Sequence, residues 1–202
     1  MKSNKIGIMG GTFDPVHIGH LIIAEESRVN FDLDKIIFVP TGEPPHKNLK
    51  NVTSAKDRYE MTLLSIMHNP YFYISDIEIK REGLTYTIDT IKYFKKRYPK
   101  SEIFFIIGAD SLINIDKWKN SEELLRESKF IVAKRVGIEY SLLEERINEI
   151  NDKYSKIVFS VTTPYIDISS TDIRKRVKNG ENIKYYLPLD VEAYIKKNRL
   201  YR

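Results

Sequence analysis

Cysteine is missing from this chain altogether. Its absence removes disulfides, thiolate metal ligands and thiol nucleophiles from the available chemistry, and it suits a reducing cytoplasm. No run of about 18 apolar residues occurs, so no transmembrane helix and no membrane partner are expected. A strand-like run begins within a few residues of Met1, leaving no room for a signal peptide. Histidine is scarce, at positions 17, 20, 46 and 68, and tryptophan occurs once, at 118. There is no G-x-G-x-x-G after the first apolar run, no G-x-x-x-x-G-K-[ST] and no H-E-x-x-H. A dinucleotide fingerprint, a P-loop and a zincin helix are thereby excluded. Charge of one sign is not dominant either. Lys plus Arg number 33 against 28 Asp plus Glu, a formal +5. The basic residues are scattered, as in Lys95-Lys96-Arg97, Lys175-Arg176 and Lys196-Lys197. That pattern describes solvated helix faces and gives no support to a nucleic-acid partner, while a mild positive excess suits a small polyanion.

What is present reads as one globular domain over residues 1–202, with 42% hydrophobic and 30% charged residues. Strand-like runs are expected at Lys5–Met9, Lys35–Val39, Phe72–Ile79, Ile103–Ile107, Phe130–Ala133 and Ile157–Val161. Helix-like runs are expected at Val16–Asn30, Ala55–Met67 with Thr53 or Ser54 as N-cap, Tyr86–Arg97, Ser141–Ile150, Ser170–Lys178 and Leu189–Lys197. The alternation predicts an α/β fold, a doubly wound parallel sheet with right-handed crossovers and a small helical part at the C-terminal end. In such sheets ligands sit beyond the carboxyl ends of the strands. Gly10-Gly11, Thr41-Gly42 and Gly108-Ala109-Asp110 each follow a strand, so they should line one crevice.

The most informative stretch is Gly10-Gly11-Thr12-Phe13-Asp14-Pro15-Val16-His17-Ile18-Gly19-His20. It reads as strand, glycine turn and helix start, an arrangement in which backbone N–H groups and a helix N-terminus can hold an anion. His17 and His20 are three apart and share a helix face, where both can donate hydrogen bonds to phosphate oxygens and do so more strongly when protonated. A zinc site is not expected, because no third ligand lies close to the pair. A second hydroxyl-rich helix start, Ile168-Ser169-Ser170-Thr171-Asp172-Ile173-Arg174, offers another set of free N–H groups and a guanidinium one turn in. Alone, this second segment also reads as an ordinary capped helix with a surface arginine.

With these two segments the chain resembles the HxGH superfamily of adenylyl- and cytidylyltransferases. Pro44-Pro45-His46-Lys47, Gly83-Leu84-Thr85-Tyr86-Thr87-Ile88-Asp89-Thr90, and Gly108-Ala109-Asp110-Ser111 through Trp118-Lys119 narrow the resemblance to the bacterial nicotinate-nucleotide adenylyltransferases. The resemblance implies a Rossmann-like nucleotidyltransferase fold and transfer of AMP from ATP to nicotinate mononucleotide. Deamido-NAD and pyrophosphate are the implied products, with Mg²⁺ carried by the nucleotide phosphates rather than by protein ligands. It implies catalytic roles for His17, His20 and Arg174. ATP contacts would come from Gly10, Gly11, Thr12, Phe13, Gly108, Asp110, Ile168, Ser169, Ser170 and Thr171. Contacts to the acceptor nucleotide would come from Thr41, His46, Lys47, Arg58, Thr85, Tyr86, Thr87 and Trp118.

Physical alternatives stand beside several of these assignments. Trp118 offers a π-face for a pyridine ring or packs on the core. The N–H groups of Thr85-Tyr86-Thr87 suit a ring carboxylate, and the same threonines suit helix capping. Arg58 is a ligand or an outward surface residue, Asp110 a ribose contact or the N-cap of the next helix. Lys47 could swing onto a phosphate from the loop Thr41–Lys50. Tyr185-Tyr186-Leu187-Pro188 reads as packing, within the chain or across a homo-oligomer. The amide nucleotide and phosphopantetheine remain as other acceptors. Other classes to weigh are a non-catalytic nucleic-acid-binding domain and a nucleotide-sensing regulator that has lost its activity.

Overall fold

The computed structural model describes residues 4–44, 52–133, 140–164 and 166–202. Its strands are β1 (Asn4–Gly11), β2 (Lys35–Pro40), β3 (Phe72–Ile74), β4 (Ser101–Gly108), β5 (Lys129–Ala133) and β6 (Val158–Val161). They form one six-stranded sheet in the order β3-β2-β1-β4-β5-β6, and every adjacent pair is parallel. The helices are α1 (Ile18–Asn30), α2 (Ala55–Ile66), α3 (Ile77–Lys80), α4 (Thr87–Arg97), α5 (Ala109–Ile113), α6 (Ser121–Glu127), α7 (Tyr140–Tyr154), α8 (Ser170–Lys178) and α9 (Leu189–Lys197). A 3₁₀ turn covers Ile115–Lys117.

Period-two side-chain alternation divides the apolar residues between two faces. Ile6, Ile8, Ile37, Val39, Ile103, Phe105, Ile107, Phe130 and Val132 face one core. Ile36, Phe38, Phe104, Ile106, Ile131 and Ala133 face the other. The first core is closed by α4, α5, α6 and α7 through Ile88, Ile91, Leu112, Leu124 and Ile147. The second is closed by α1, α2, α8 and α9 through Ala24, Met61, Ile173, Val191 and Ile195. Each buried Ile or Phe contributes roughly 1.5–3 kcal/mol of transfer free energy, so strands apolar on both faces hold both helical layers. The expected doubly wound sheet is therefore present, and strand order reverses direction between β1 and β4. In sheets of this kind ligands bind at that switch point, which here lies beside Gly10-Gly11 and Gly108.

Three elements differ from expectation. The run Phe72–Ile79 is not one strand: β3 stops at Ile74, and α3 starts after Asp76. Apolar spacing changes there from two (72, 74) to three (74, 77), and Ser75-Asp76 favours a helix start over a continued ladder. The helices α5 and α6 were not anticipated, being too short to show a period. Tyr185 does not pack within this chain, at 77% exposure, whereas Leu187 is buried. Among the described residues no helix is long and apolar enough to cross a membrane.

Candidate active site

The glycine pair belongs to the end of β1, where Gly10 and Gly11 pair with Val39 and Pro40. The turn itself begins after them. A Cβ on Gly11 would stand 2.9 Å from the Phe13 ring, and one on Gly10 would stand 3.0 Å from the Phe105 ring. These glycines are needed for close packing. The left-handed backbone of the turn falls instead on Phe13, at φ 49°. The Phe13 ring is core, 3% exposed, with its ring edge-on to His20 at 5.1 Å.

His17 caps α1 with extended backbone (φ −144°, ψ 170°). The His17 and His20 rings lie 3.7 Å apart, inclined by 32°. His17 is buried and His20 half-buried. The backbone N–H of His17 donates to His20 Nδ1 at 3.2 Å. That bond makes Nδ1 an acceptor and leaves Nε2 as the proton-bearing nitrogen of a neutral ring.

The C-terminal segment docks on this loop. Ser170 Oγ donates to the Pro15 carbonyl at 2.8 Å, and Arg174 Nη1 donates to the Asp14 carbonyl at 2.7 Å. Arg174 Nη2 reaches Thr171 Oγ1 at 3.3 Å. Ser169 is the N-cap of α8, its Oγ accepting the Asp172 N–H at 3.1 Å and donating to Asp172 Oδ2 at 2.6 Å. The start of α8 is therefore held against the turn that leads into α1, with Ile168 and Ser169 half-buried and Thr171 exposed. Gly108 is the N-cap of α5, which corrects the capping alternative for Asp110. Asp110 lies in the first turn instead, its Oδ1 only 2.6 Å from where a Gly108 Cβ would be.

On the acceptor side the structure moves two assignments. Arg58 is neither outward nor directed at the crevice: it is 1% exposed and its guanidinium is engaged by backbone. Its Nη1 donates to Thr12 O at 2.7 Å, Nη2 to Gly42 O at 3.0 Å and Nε to Thr53 O at 2.9 Å. Thr85 is 3% exposed, and its N–H donates to Glu43 O at 3.2 Å. Because Tyr86 is the N-cap of α4, the amides at this helix start that no described backbone carbonyl takes up are those of Tyr86, Thr87 and Ile88, and of the expected three only Thr85 is engaged. Asp89 and Thr90 N–H already reach the Tyr86 carbonyl. Trp118 and Tyr86 pack on the same core cluster, and the Lys119 ammonium stands 4.0 Å over the Tyr86 ring. Thr41 joins the two loops through its N–H, which donates to Gly11 O at 2.9 Å. His46 and Lys47 lie outside the described residues.

Sequence reasoning missed two groups here, one buried and one half-buried. Glu78, 6% exposed, accepts Thr90 Oγ1–H at 2.6 Å, and burial holds its carboxyl above the ordinary carboxylate range against the pull of Thr90, Thr85, Arg81 and Arg58. Tyr201 donates from its hydroxyl to Asp14 Oδ1 at 2.8 Å, and burial beside that carboxylate pushes the phenol well up. Asp14, 3% exposed, also accepts the Thr53 N–H at 3.3 Å. No short-range sequence signal marks either group.

A parallel sheet with an anion-directed loop at its switch point, completed by a second helix start, defines an α/β nucleotidyltransferase. The cytidylyltransferase-like family profile matches residues 8–176. The chain is 53% identical over 199 residues to a probable nicotinate-nucleotide adenylyltransferase of Thermoanaerobacter sp. (strain X514), covering 98% of this chain and 94% of that protein. A namesake from Moorella thermoacetica is 48% identical over 202 residues, covering 100% of this chain and 93% of the relative. Among solved structures, Plasmodium falciparum nicotinic acid mononucleotide adenylyltransferase complexed with NaAD superposes with a TM-score of 0.81 at 25% identity, covering 98% of this chain and 97% of that one. The chain belongs to the cytidylyltransferase-like family, among its nicotinate-nucleotide adenylyltransferases.

Proposed function

We propose that this protein transfers the adenylyl group of ATP to nicotinate mononucleotide, releasing pyrophosphate and nicotinate adenine dinucleotide. The observation that carries the reading is the docking of α8 on the Asp14-Pro15 turn, which leads into the paired His17 and His20 rings. It supports the reading by tying two candidate anion-binding segments together near the sheet's switch point. The acceptor's 5′-phosphate has its second pKa near ~6, so it is mostly dianionic at neutral pH and needs no general base. One of its oxygens attacks the α-phosphorus in line. A new P–O bond forms as the bond from the α-phosphorus to the bridging oxygen breaks, and the electron pair leaves on pyrophosphate. No covalent enzyme intermediate is required, and positioning and charge stabilisation do the work.

His20 Nε2–H, His17, Arg174 and the first amides of α8 are the donors assigned to the phosphate chain, with Gly10, Gly11, Thr12 and Gly108 giving close backbone approach and Asp110 the ribose. The Thr87 and Ile88 amides suit the ring carboxylate, Tyr86 and Trp118 its aromatic face, and Thr41 the neighbouring edge. Among the described residues no group of three or more His, Cys, Asp or Glu is arranged to hold a metal ion. Mg²⁺ would enter on the triphosphate, where it would offset phosphate charge. A cytoplasmic location and self-association through the exposed Tyr185 accompany this reading.

The test is pyrophosphate release from ATP plus nicotinate mononucleotide with Mg²⁺. His20→Ala should lower kcat by about 10²–10³, the cost of losing one preorganised donor, with less effect on KM. A variant that only raises KM for ATP removes His20 from the transition state.

A further inference from the structure

We propose that Tyr201 is a positioning residue for adenylyl transfer, its hydroxyl seating the turn that carries the imidazole pair. Asp14 is the centre of that seat. Its Oδ1 accepts the Tyr201 hydroxyl at 2.8 Å, its Oδ2 the Thr53 N–H at 3.3 Å, and its carbonyl the Arg174 guanidinium at 2.7 Å. The residue before it, Phe13, has the left-handed backbone, and the carbonyl of Thr12 is held by Arg58 at 2.7 Å. Segments from α2, α8 and the turn after α9 thus converge on Thr12–Pro15, immediately before His17.

Tyr201 is itself held in an uncommon conformation. Its φ is 65°, and Arg199 two residues earlier has φ 53°. Non-glycine residues avoid this region unless their surroundings impose it. Here the double reversal after α9 returns the phenol beneath the loop. The hydroxyl remains protonated at neutral pH, because burial and the facing carboxylate both oppose ionisation. It is therefore a constant donor to Asp14. A second tyrosine provides an internal control: Tyr194 on α9 donates to Asp57 Oδ1 on α2 at 2.9 Å, a bond to no residue of Thr12–Pro15.

The inference rests on the adenylyl-transfer reading, and wild-type turnover in the same assay tests that reading separately. Tyr201→Phe keeps the ring and deletes the donor. It should lower kcat about tenfold with smaller changes in either KM, within the hundredfold that a misplacement of about 1 Å can cost. Tyr194→Phe should lower the melting temperature while kcat stays within about twofold of wild type. A Tyr201→Phe enzyme with wild-type kcat, whatever its melting temperature, overturns the proposal, as does an equal kcat loss in Tyr194→Phe. Should Tyr201→Phe not fold, Asp14→Asn gives an independent arm. Its single amide oxygen replaces the two carboxylate oxygens that accept the Tyr201 hydroxyl and the Thr53 N–H, so the turn loses the seat formed by both bonds, and undiminished kcat there also overturns the proposal.

Discussion

Among the described glycines, Gly42 leaves the least room for an added Cβ. A Cβ there would stand 2.2 Å from the Glu78 carbonyl oxygen, 2.9 Å from its carbon and 3.3 Å from Thr85 Cγ2. The obstruction is backbone, so Gly42→Ala must push the loop after β2 away from α3 by about 1 Å to reach ordinary contact. Overpacking of this kind costs roughly 1–3 kcal/mol. The same shift lengthens the 3.0 Å bond from Arg58 Nη2 to Gly42 O, a charge-assisted bond worth roughly 1.5–3 kcal/mol. About 3 kcal/mol of destabilisation follows, or about 6–12 °C in melting temperature for a chain of this size. Thermal unfolding and steady-state kinetics measure the two consequences together. The KM for nicotinate mononucleotide should rise more than that for ATP, because the Glu43–Thr85 contact leading to α4 moves with the loop. Gly83→Ala is the comparison. Its φ of 79° makes alanine strained, but nothing lies within 4 Å of the added Cβ, so about 1 kcal/mol and no change in KM are expected. If Gly42→Ala melts within about 2 °C of wild type with an unaltered acceptor KM, the steric reasoning is wrong.

Ser170→Ala removes the 2.8 Å bond to Pro15 O and should cost about 1 kcal/mol with a raised KM for ATP; a variant matching wild type in both would detach α8 from the nucleotide site. Glu78→Gln tests the buried carboxyl. An acid held above its ordinary 4.5 by burial contributes stability that is complete below the unfolded value and is lost as pH rises through the folded one. The melting temperature of wild type should therefore fall relative to Glu78→Gln as pH is raised from about 4.5, and a difference constant with pH contradicts that burial effect. Because Trp118 is the single tryptophan, indole emission reports on one place. Saturable quenching by nicotinate mononucleotide is expected, and unchanged emission at saturating ligand removes Trp118 from the acceptor site.

The fold was legible where the pattern was long and regular. The runs in β1, β4 and β5 are apolar on both faces, which only a sheet covered on both sides can use, and α8 and α9 have the ranges their caps and periodicity indicate. The histidine pair was legible because a spacing of three in a helix start permits one geometry. Arg58 was not, since its three carbonyl partners come from separate loops at 12, 42 and 53. Thr85 shows the same limit: its N–H is engaged by Glu43, a pairing made by the crossover between β2 and α4 rather than by any local preference. Tyr201 lies 187 residues from Asp14, beyond any periodicity.

The contacts that dock α8 on the Asp14-Pro15 turn span 155 and 160 residues. A nucleotide touching both contributors would act as a non-covalent clasp over nearly the entire polypeptide. At a hundred times its Kd, such a ligand opposes global unfolding by ~2.7 kcal/mol. Any opening that separates the two contributors must then release the ligand, so proteolysis that proceeds through global unfolding should slow in every layer when substrate is present.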